Sequence, residues 1–194
     1  MGSKRNLSLL SLLMICTLGI TTACNGVNDG NTEKKASFAT QVQEEDFASF
    51  EIPASWEKKS ELSSNENLVY GPKGVPETDN YSRVNIVIHV TGKKVSDIET
   101  VRSQFEENYE KTIKEQIPNA TGFKIISYKA DIGDVLVLSY KVDQTTTTQY
   151  CPLVDNAIIT IAATDFGEQD ALNIEAVAKH IVDTFQLKGN ESNE

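Results

Sequence analysis

Residues 123–164 read FKIISYKADIGDVLVLSYKVDQTTTTQYCPLVDNAIITIAAT, and this stretch decides the fold class. It is rich in β-branched and aromatic residues, which are enriched in strands because they pack well on a pleated surface. Turn residues interrupt it around Gly133 and at Asp155-Asn156, as expected for two hairpins. The four predicted strands are residues 123–131, 134–142, 145–153 and 157–164. Strands joined in this way form an antiparallel sheet.

Three further strands are predicted upstream of this stretch, at residues 47–52, 67–70 and 81–90. The last of them has the clearest alternation, because Val84, Ile86 and Ile88 fall on one face of a strand and the intervening residues on the other. Pro53 stops the first strand, since proline lacks the backbone N–H that a strand ladder uses.

Two helices are predicted from apolar residues repeated at intervals of three and four. The first begins at Ser96, which forms a capping-box pattern with Glu99, and it ends before Pro118. The second covers residues 171–185. The fold class is therefore α+β, a mostly antiparallel sheet of about six to seven strands flanked by two helices.

The N-terminus has the pattern of an export signal. Lys4 and Arg5 precede a mostly apolar run at residues 7–20. Such a run is too short for a bilayer core, which requires about twenty residues, so a permanent transmembrane helix is the weaker interpretation. The run ends at Thr22-Ala23-Cys24, two small residues before a cysteine.

These residues resemble a bacterial lipoprotein signal, although Thr21 occupies a position where leucine is usual. The resemblance implies that residues 1–23 are removed and that the Cys24 thiol is lipidated. Two or three acyl chains suffice for stable anchoring, so we expect the protein on the extracytoplasmic face of a bacterial cell membrane. The alternatives are an ordinary secretory signal cut after Ala23 and an uncleaved anchor containing a chance cysteine.

The remainder divides into three predicted parts. Residues 24–45 are a flexible spacer that starts at the lipidated cysteine, residues 46–188 are a single α+β domain, and residues 189–194 are a polar tail. The chain has 18 basic and 28 acidic residues, a formal charge of −10, which argues against a nucleic-acid partner. An anionic lipid surface would also repel the domain, so its contact with the membrane is expected through the acyl chains alone.

The order of elements resembles the PsbP-like superfamily. The similar features are the FEIPASW opening at residues 50–56, the long helix after the third strand, and a closing helix that ends in Thr184-Phe185. That group includes an extrinsic subunit of photosystem II, a Ran-binding nuclear import factor and many bacterial lipoproteins. The resemblance covers residues 46–188 and implies an α/β/α sandwich that acts as a binding module.

Few residues are available for catalysis. We predict no catalytic residue, cofactor or metal site, because His89 and His180 stand alone in the sequence and zinc sites use clustered ligands. The histidines are interpreted as surface or hydrogen-bonded residues, although folding could pair one of them with a carboxylate. Cys151 is interpreted as a buried small hydrophobic residue, because an acidic domain does not favour a reactive thiolate.

Two features are candidates for partner recognition. Trp56, the only tryptophan, is expected to plug the edge of the sheet, and the alternative is an exposed aromatic anchor. The loop at residues 71–82 is long enough to form a recognition surface on a rigid sheet.

These observations favour a membrane-anchored extracytoplasmic lipoprotein that acts as a non-catalytic protein-interaction module. Its expected partner is an exported or envelope protein. One alternative is a small-ligand or lipid-binding lipoprotein with a cavity between sheet and helix. Another is a hydrolase or transferase whose site is assembled around His89, His180 or Cys151.

Overall fold

The computed structural model describes residues 38–65, 67–76, 81–90, 98–154, 157–166 and 172–188, without the side chains of residues 88–90, 157 and 158. The strands in these ranges are β1 (Thr40–Glu44), β2 (Ala48–Pro53), β3 (Trp56–Lys58), β4 (Asn67–Pro72), β5 (Arg83–Val90), β6 (Thr121–Ala130), β7 (Gly133–Val142), β8 (Thr145–Val154), β9 (Ala157–Asp165) and β10 (Gln186–Leu187). The helices are α1 (Ile98–Gln116) and α2 (Ile174–Thr184).

The larger sheet has seven strands in the order β3-β4-β5-β9-β8-β7-β6, and every neighbouring pair is antiparallel. Both predicted hairpins are present, β6 with β7 and β8 with β9. Gly133 has a φ of 126° at the first of these turns, a conformation that glycine adopts without a steric penalty. The predicted α+β class, with its mostly antiparallel sheet and two helices, is confirmed.

The smaller sheet has the order β1-β2-β10 and corrects the predicted spacer boundary. The spacer was expected to run through Glu45, but β1 pairs with β2 from Thr40 opposite Pro53 to Glu44 opposite Ser49. Glu45 itself accepts a hydrogen bond from Tyr70 Oη at 2.6 Å. The ordered fold therefore begins before residue 46. The polar sequence TQVQE suits an edge strand that is only partly covered, and such a sequence resembles a linker.

One side of the large sheet, here called the α2 face, is covered by α2 and by β2. The core on this side consists of buried apolar residues from the sheet, from β2 and from the helix. Its main sheet residues are Trp56, Leu68, Tyr70, Val84, Ile86, Val135, Val137, Tyr150, Ile159, Ile161 and Ala163. From the helix, Val177, Ala178, Ile181 and Val182 pack on this core.

The opposite side, here called the α1 face, carries α1 over β6 and β7. Helix residues Val101, Phe105, Tyr109 and Ile113 are buried against this end of the sheet. Beneath them lie Leu136, Leu138, Tyr140, Val142 and Cys151. The two helices therefore sit on opposite faces of one sheet, which is an α/β/α arrangement.

The ends of the helices have clear local causes. Asn173 caps α2, because its side chain accepts a hydrogen bond from the Ala176 N–H at 3.0 Å. The last turn of α1 closes with the Ile117 N–H donating to Ile113 O at 2.7 Å, and Pro118 follows. The predicted start of the first helix, at residue 96, lies outside the described residues. The second helix was predicted from residue 171, but it begins at Ile174, because Asn173 caps it.

Candidate functional site

Cys151 lies in β8 on the α1 face and is 6% exposed. Its Sγ is 3.8 Å from Thr160 Oγ1. Burial raises the pKa of this thiol to about 12, and the contact with Thr160 offsets only part of that rise. The thiol is therefore protonated at neutral pH and unsuited to nucleophilic attack. The interpretation of Cys151 as a buried small hydrophobic residue is confirmed.

His180 forms the histidine–carboxylate pair that the sequence left open. Its Nε2–H donates to Glu51 Oε2 at 3.0 Å, joining α2 to β2. Hydrogen bonds from His180 and then from Thr40 lower the pKa of the Glu51 carboxyl. The Phe38 ring meets the imidazole edge to face, with the ring centroids 5.6 Å apart.

A hydroxyl completes this junction between helix and strand. Thr184 Oγ1 accepts from the Glu51 N–H at 3.0 Å and donates to His180 O at 2.8 Å. Every contact described at the pair thus serves to hold α2, β1 and β2 together. His89 is in β5 opposite Ile158, and its side chain lies outside the described part of the structure.

Trp56 is 3% exposed and belongs to the core of the α2 face. Gln41 Nε2 also donates to the Trp56 carbonyl at 2.6 Å, which fixes β1 beside β3. The expected core plug is confirmed, and the alternative of an exposed aromatic anchor is wrong. The apolar surroundings at the edge of the sheet bury the indole more completely than a partner-facing position would.

The predicted recognition loop at residues 71–82 is described at both of its ends. At the first end, Gly71 lies directly under the buried ring of Tyr81, and a Cβ on this glycine would collide with the ring. The close approach explains why a residue without a side chain is needed in β4. Residues 77–80, in the middle of the loop, are outside the described residues.

Four side chains beside this loop form alternating contacts between cations and aromatic rings. Lys59 Nζ lies 5.5 Å from the centroid of the Tyr81 ring. Arg83 Cζ is 6.0 Å from the centroid of that ring and 5.6 Å from the centroid of the Phe166 ring. Such distances allow cation–π attraction. We call Lys59, Tyr81, Arg83 and Phe166 the cation–aromatic row.

Strand register places the row on the α1 face. Arg83 lies opposite Thr164, and Tyr81 and Phe166 are each two residues away from that pair, so all three share one side of the sheet. The intervening Ser82 locks the two strand ends, because its Oγ accepts from the Phe166 N–H at 3.1 Å and donates to Asp165 Oδ1 at 3.3 Å.

The two cations of the row differ in their partners. Lys59 is 1% exposed, and its Nζ donates to Glu57 Oε1 at 2.8 Å and to Val75 O at 3.0 Å. Arg83 is half-buried, and no hydrogen bond or ion pair of its guanidinium occurs among the described residues. The alternation of residues 81–90 predicts a strand at Arg83 but does not mark it as a site residue.

Neither a metal-binding cluster nor a membrane-spanning helix occurs in the residues that the structure describes. No group of three or more histidine, cysteine, aspartate or glutamate side chains is placed to hold a metal ion in that part of the chain. In the same residues, neither helix has the length and apolar character needed to cross a membrane.

Comparison with known proteins identifies the fold. No protein-family model matches the chain, and no curated protein matches it in sequence. The solution structure of cyanobacterial PsbP (CyanoP) from Synechocystis sp. PCC 6803 superimposes with a TM-score of 0.53 at 11% identity, covering 84% of this chain and 99% of that one. A crystal structure from Bacteroides thetaiotaomicron VPI-5482 has a TM-score of 0.42 at 11% identity, covering 74% of this chain and 46% of that one, which is too low to establish a common fold. The similarity to cyanobacterial PsbP, together with the antiparallel sheet between two helices, shows that this chain has a PsbP-like α+β fold.

Proposed function

We propose that this chain is a lipoprotein of the bacterial cell envelope, anchored on the extracytoplasmic face, whose PsbP-like domain is a non-catalytic protein-interaction module. The observation that carries the non-catalytic part is the placement of Cys151 and His180. The thiol is buried and protonated. The imidazole donates a hydrogen bond to Glu51 and contacts the Phe38 ring, at the junction between α2 and β2.

Support for the anchor comes from the sequence. The charged start, the short apolar run and Thr22-Ala23-Cys24 follow the order of a lipoprotein signal. Because the Phe38 ring packs on His180 and the Ala39 carbonyl accepts from the Ala54 N–H, the tether would comprise residues 24–37. A spacer of that length has a root-mean-square span of roughly 21 Å, enough to separate an acidic domain from anionic headgroups.

Packing on the α2 face favours an interaction module over a ligand-binding cavity. Val84, Ile86 and Ile161 of the sheet and Ile181 of the helix each have no exposed surface. A ligand cavity between these layers would leave accessible area on the side chains that line it. The absence of accessible area on these side chains supports the interaction module over a cavity between the sheet and α2.

The anchor is tested by changing the lipidated cysteine. Cells that express Cys24→Ser are expected to incorporate no labelled palmitate into the protein and to accumulate the unprocessed precursor. Cys16→Ser is the matched control, since it removes a thiol from the same signal and should leave both properties unchanged. Undiminished palmitate incorporation and normal processing of Cys24→Ser would contradict the proposed anchor.

The interaction module is tested by photo-cross-linking in intact cells. A photoreactive residue is introduced at Pro76, an exposed position in the loop, and separately at Gln116, an exposed position at the end of α1. We expect one reproducible adduct with an exported or envelope protein from position 76 and not from position 116. If neither position nor any other exposed loop gives a reproducible adduct, the proposed interaction function is wrong.

A further inference from the structure

We propose that Arg83 is a receptor for a carboxylate group of the partner protein, held in place by the cation–aromatic row. The inference rests on the proposed interaction function and specifies the chemistry of its site. A guanidinium has five N–H donors in one plane, in a fork that matches the two oxygens of a carboxylate.

The rings of the row restrict how a ligand can approach. Tyr81 and Phe166 both lie within 6.0 Å of the guanidinium carbon. Arginine characteristically stacks on aromatic faces, an arrangement that leaves the N–H groups at the edge of the guanidinium available. The donors along its edge remain for an acceptor, and a bidentate carboxylate binds at that edge.

Arg83 differs from the other cations of the described residues. Arg102 is also half-buried, but its guanidinium donates to Glu106 Oε1 at 2.7 Å. Lysines on the strand surfaces, such as Lys129 and Lys141, are exposed, so water satisfies their charge. A half-buried guanidinium whose donors lack an acceptor carries a desolvation cost, and a ligand that supplies the acceptor relieves it.

Among the described residues, the carboxylates in and beside the strands of the row are already engaged. Asp165 accepts a hydrogen bond from Ser82, and Glu57 accepts one from Lys59. Neither forms an ion pair with Arg83 in the described structure. The acceptor for Arg83 is therefore expected from outside this part of the chain.

The charge of the protein selects the kind of anion. A chain with a formal charge of −10 repels polyanions such as nucleic acids and anionic lipid surfaces. A single carboxylate brings one negative charge directly to one cation. There the short-range attraction exceeds the repulsion from the acidic residues of the chain, which is screened by salt. The apolar surfaces of Tyr81 and Phe166 also offer packing for the carbon chain that carries the carboxylate.

The test uses benzoate as the carboxylate probe and NMR of arginine side chains as the readout. The full chain, labelled with ¹⁵N-arginine and held in detergent micelles, is titrated with sodium benzoate at constant ionic strength. We expect a saturable shift of the Arg83 Nε–Hε signal and no shift of the Arg102 signal. Benzamide, which has the same ring without the charge, is expected to have no effect.

Two variants separate the recognition geometry from charge alone. Arg83→Lys keeps the charge but loses the planar fork, and it should weaken benzoate binding by about fivefold or more, as seen in uniformly ¹⁵N-labelled protein by the shift of the Tyr81 backbone amide. Arg102→Lys, the matched control, should bind benzoate as the unaltered chain does. Equal binding by both variants would overturn the proposal.

Two further titrations distinguish a carboxylate from other anions. Inorganic phosphate replaces benzoate in a parallel titration, and tighter binding of phosphate would overturn the assignment to a carboxylate. A shift that sodium chloride reproduces at the same ionic strength would show an adventitious ion only and would also overturn it.

Cross-linking in cells separates this inference from the function on which it rests. In the background of the photoreactive residue at position 76, Arg83→Gln should reduce the yield of the adduct at least about fivefold, and Arg102→Gln should leave it unchanged. An adduct that forms fully in Arg83→Gln would overturn the carboxylate receptor and leave the interaction module intact. If the unaltered chain gave no adduct, the proposed interaction function itself would be contradicted.

Discussion

The two faces of the large sheet differ in chemistry although they belong to the same strands. The α2 face is apolar from β3 to β7, with aromatic and aliphatic residues in every strand. The α1 face is apolar beneath α1 and mixed toward β9 and β5, where Val69, Val87 and Ala162 are buried beside polar residues. The buried polar residues toward that end include Asn85, Thr147, Gln149, Thr160 and Thr164.

This difference separates stability from specificity. Apolar burial has no preferred direction and stabilises the fold in proportion to the area removed from water. Buried polar groups contribute only when their hydrogen bonds are satisfied, so they fix particular neighbours instead. We therefore expect substitutions on the α2 face to unfold the domain, and substitutions at the polar end of the α1 face to alter recognition with a smaller loss of stability.

The largest effect is expected for Trp56→Ala on the α2 face. Removing a buried tryptophan should lower the free energy of unfolding by about 3–5 kcal/mol, because transfer and cavity terms add. Urea denaturation followed by circular dichroism measures the loss. Val42→Ala, at a position that is 59% exposed in β1, is the control and should change little. A loss below about 1 kcal/mol for Trp56→Ala would show that the α2 face is not the main source of stability.

A smaller effect is expected for Gly71→Ala on the α1 face. The added methyl group would collide with the Tyr81 ring and should cost about 1–3 kcal/mol through overpacking. The same change in a Tyr81→Leu background should cost less, since the ring that obstructs the methyl group is then absent. Equal costs in both backgrounds, measured by urea denaturation, would exclude the contact with Tyr81 as the cause.

A third prediction concerns Cys151 at alkaline pH. The folded state holds the thiol pKa at about 12, above its ordinary value of 9.0, so the unfolded chain ionises first as the pH rises. The stability contributed by the neutral thiol is complete below pH 9 and is lost as the pH increases toward 12. By pH 10 the unaltered protein should lose about 1 kcal/mol that Cys151→Ala does not lose. If the free energy of unfolding changed with pH to the same extent in both proteins, the thiol would not be buried in this way.

The smallest effect is expected for Glu51→Gln at the junction of α2 with β2. The bond from His180 lowers the pKa of the Glu51 carboxyl, so its contribution to stability is present above pH 4.5 and is lost as the pH falls through the lower folded value. Because the carboxylate is partly exposed, we expect less than about 1 kcal/mol at neutral pH. Unfolding measured between pH 7 and pH 3 should show a weaker acid dependence for Glu51→Gln, whereas Glu107→Gln, at an exposed position on α1, should retain the original dependence.

The parts of the fold that sequence predicted are those with local signals. The alternation of Val84 and Ile86, and the apolar spacing along α1, repeat over enough residues to identify a strand and a helix. Strands β3 and β10 have only three and two residues, which is too short for a recognisable period, and the polar β1 lacked an apolar face. The short strands depend on pairing with partners that are distant in sequence.

The candidate site could not be predicted for a similar reason. Arg83 is a single arginine at the start of a strand, and it gains its environment from Phe166, which is far along the chain. The same holds for His180 and Glu51, which are 129 residues apart. One signal was present, because Tyr81 and Arg83 are two residues apart in a predicted strand and therefore share a face. Only the antiparallel pairing of β5 with β9 adds the second ring.

The hairpin of β1 and β2 has a mechanical consequence if the chain is tethered through Cys24. A pulling force from the tether would first reach Phe38 and Ala39, and then the open end of the hairpin, where Thr40 lies opposite Pro53. In this geometry the force breaks the hydrogen bonds between β1 and β2 one residue pair at a time, because the pairs do not share the load. Release of the 5 residues of β1 would lengthen the tether by about 17 Å while the seven-stranded sheet stays intact. The first strand would then act as an extensible link that absorbs tension before it reaches the domain.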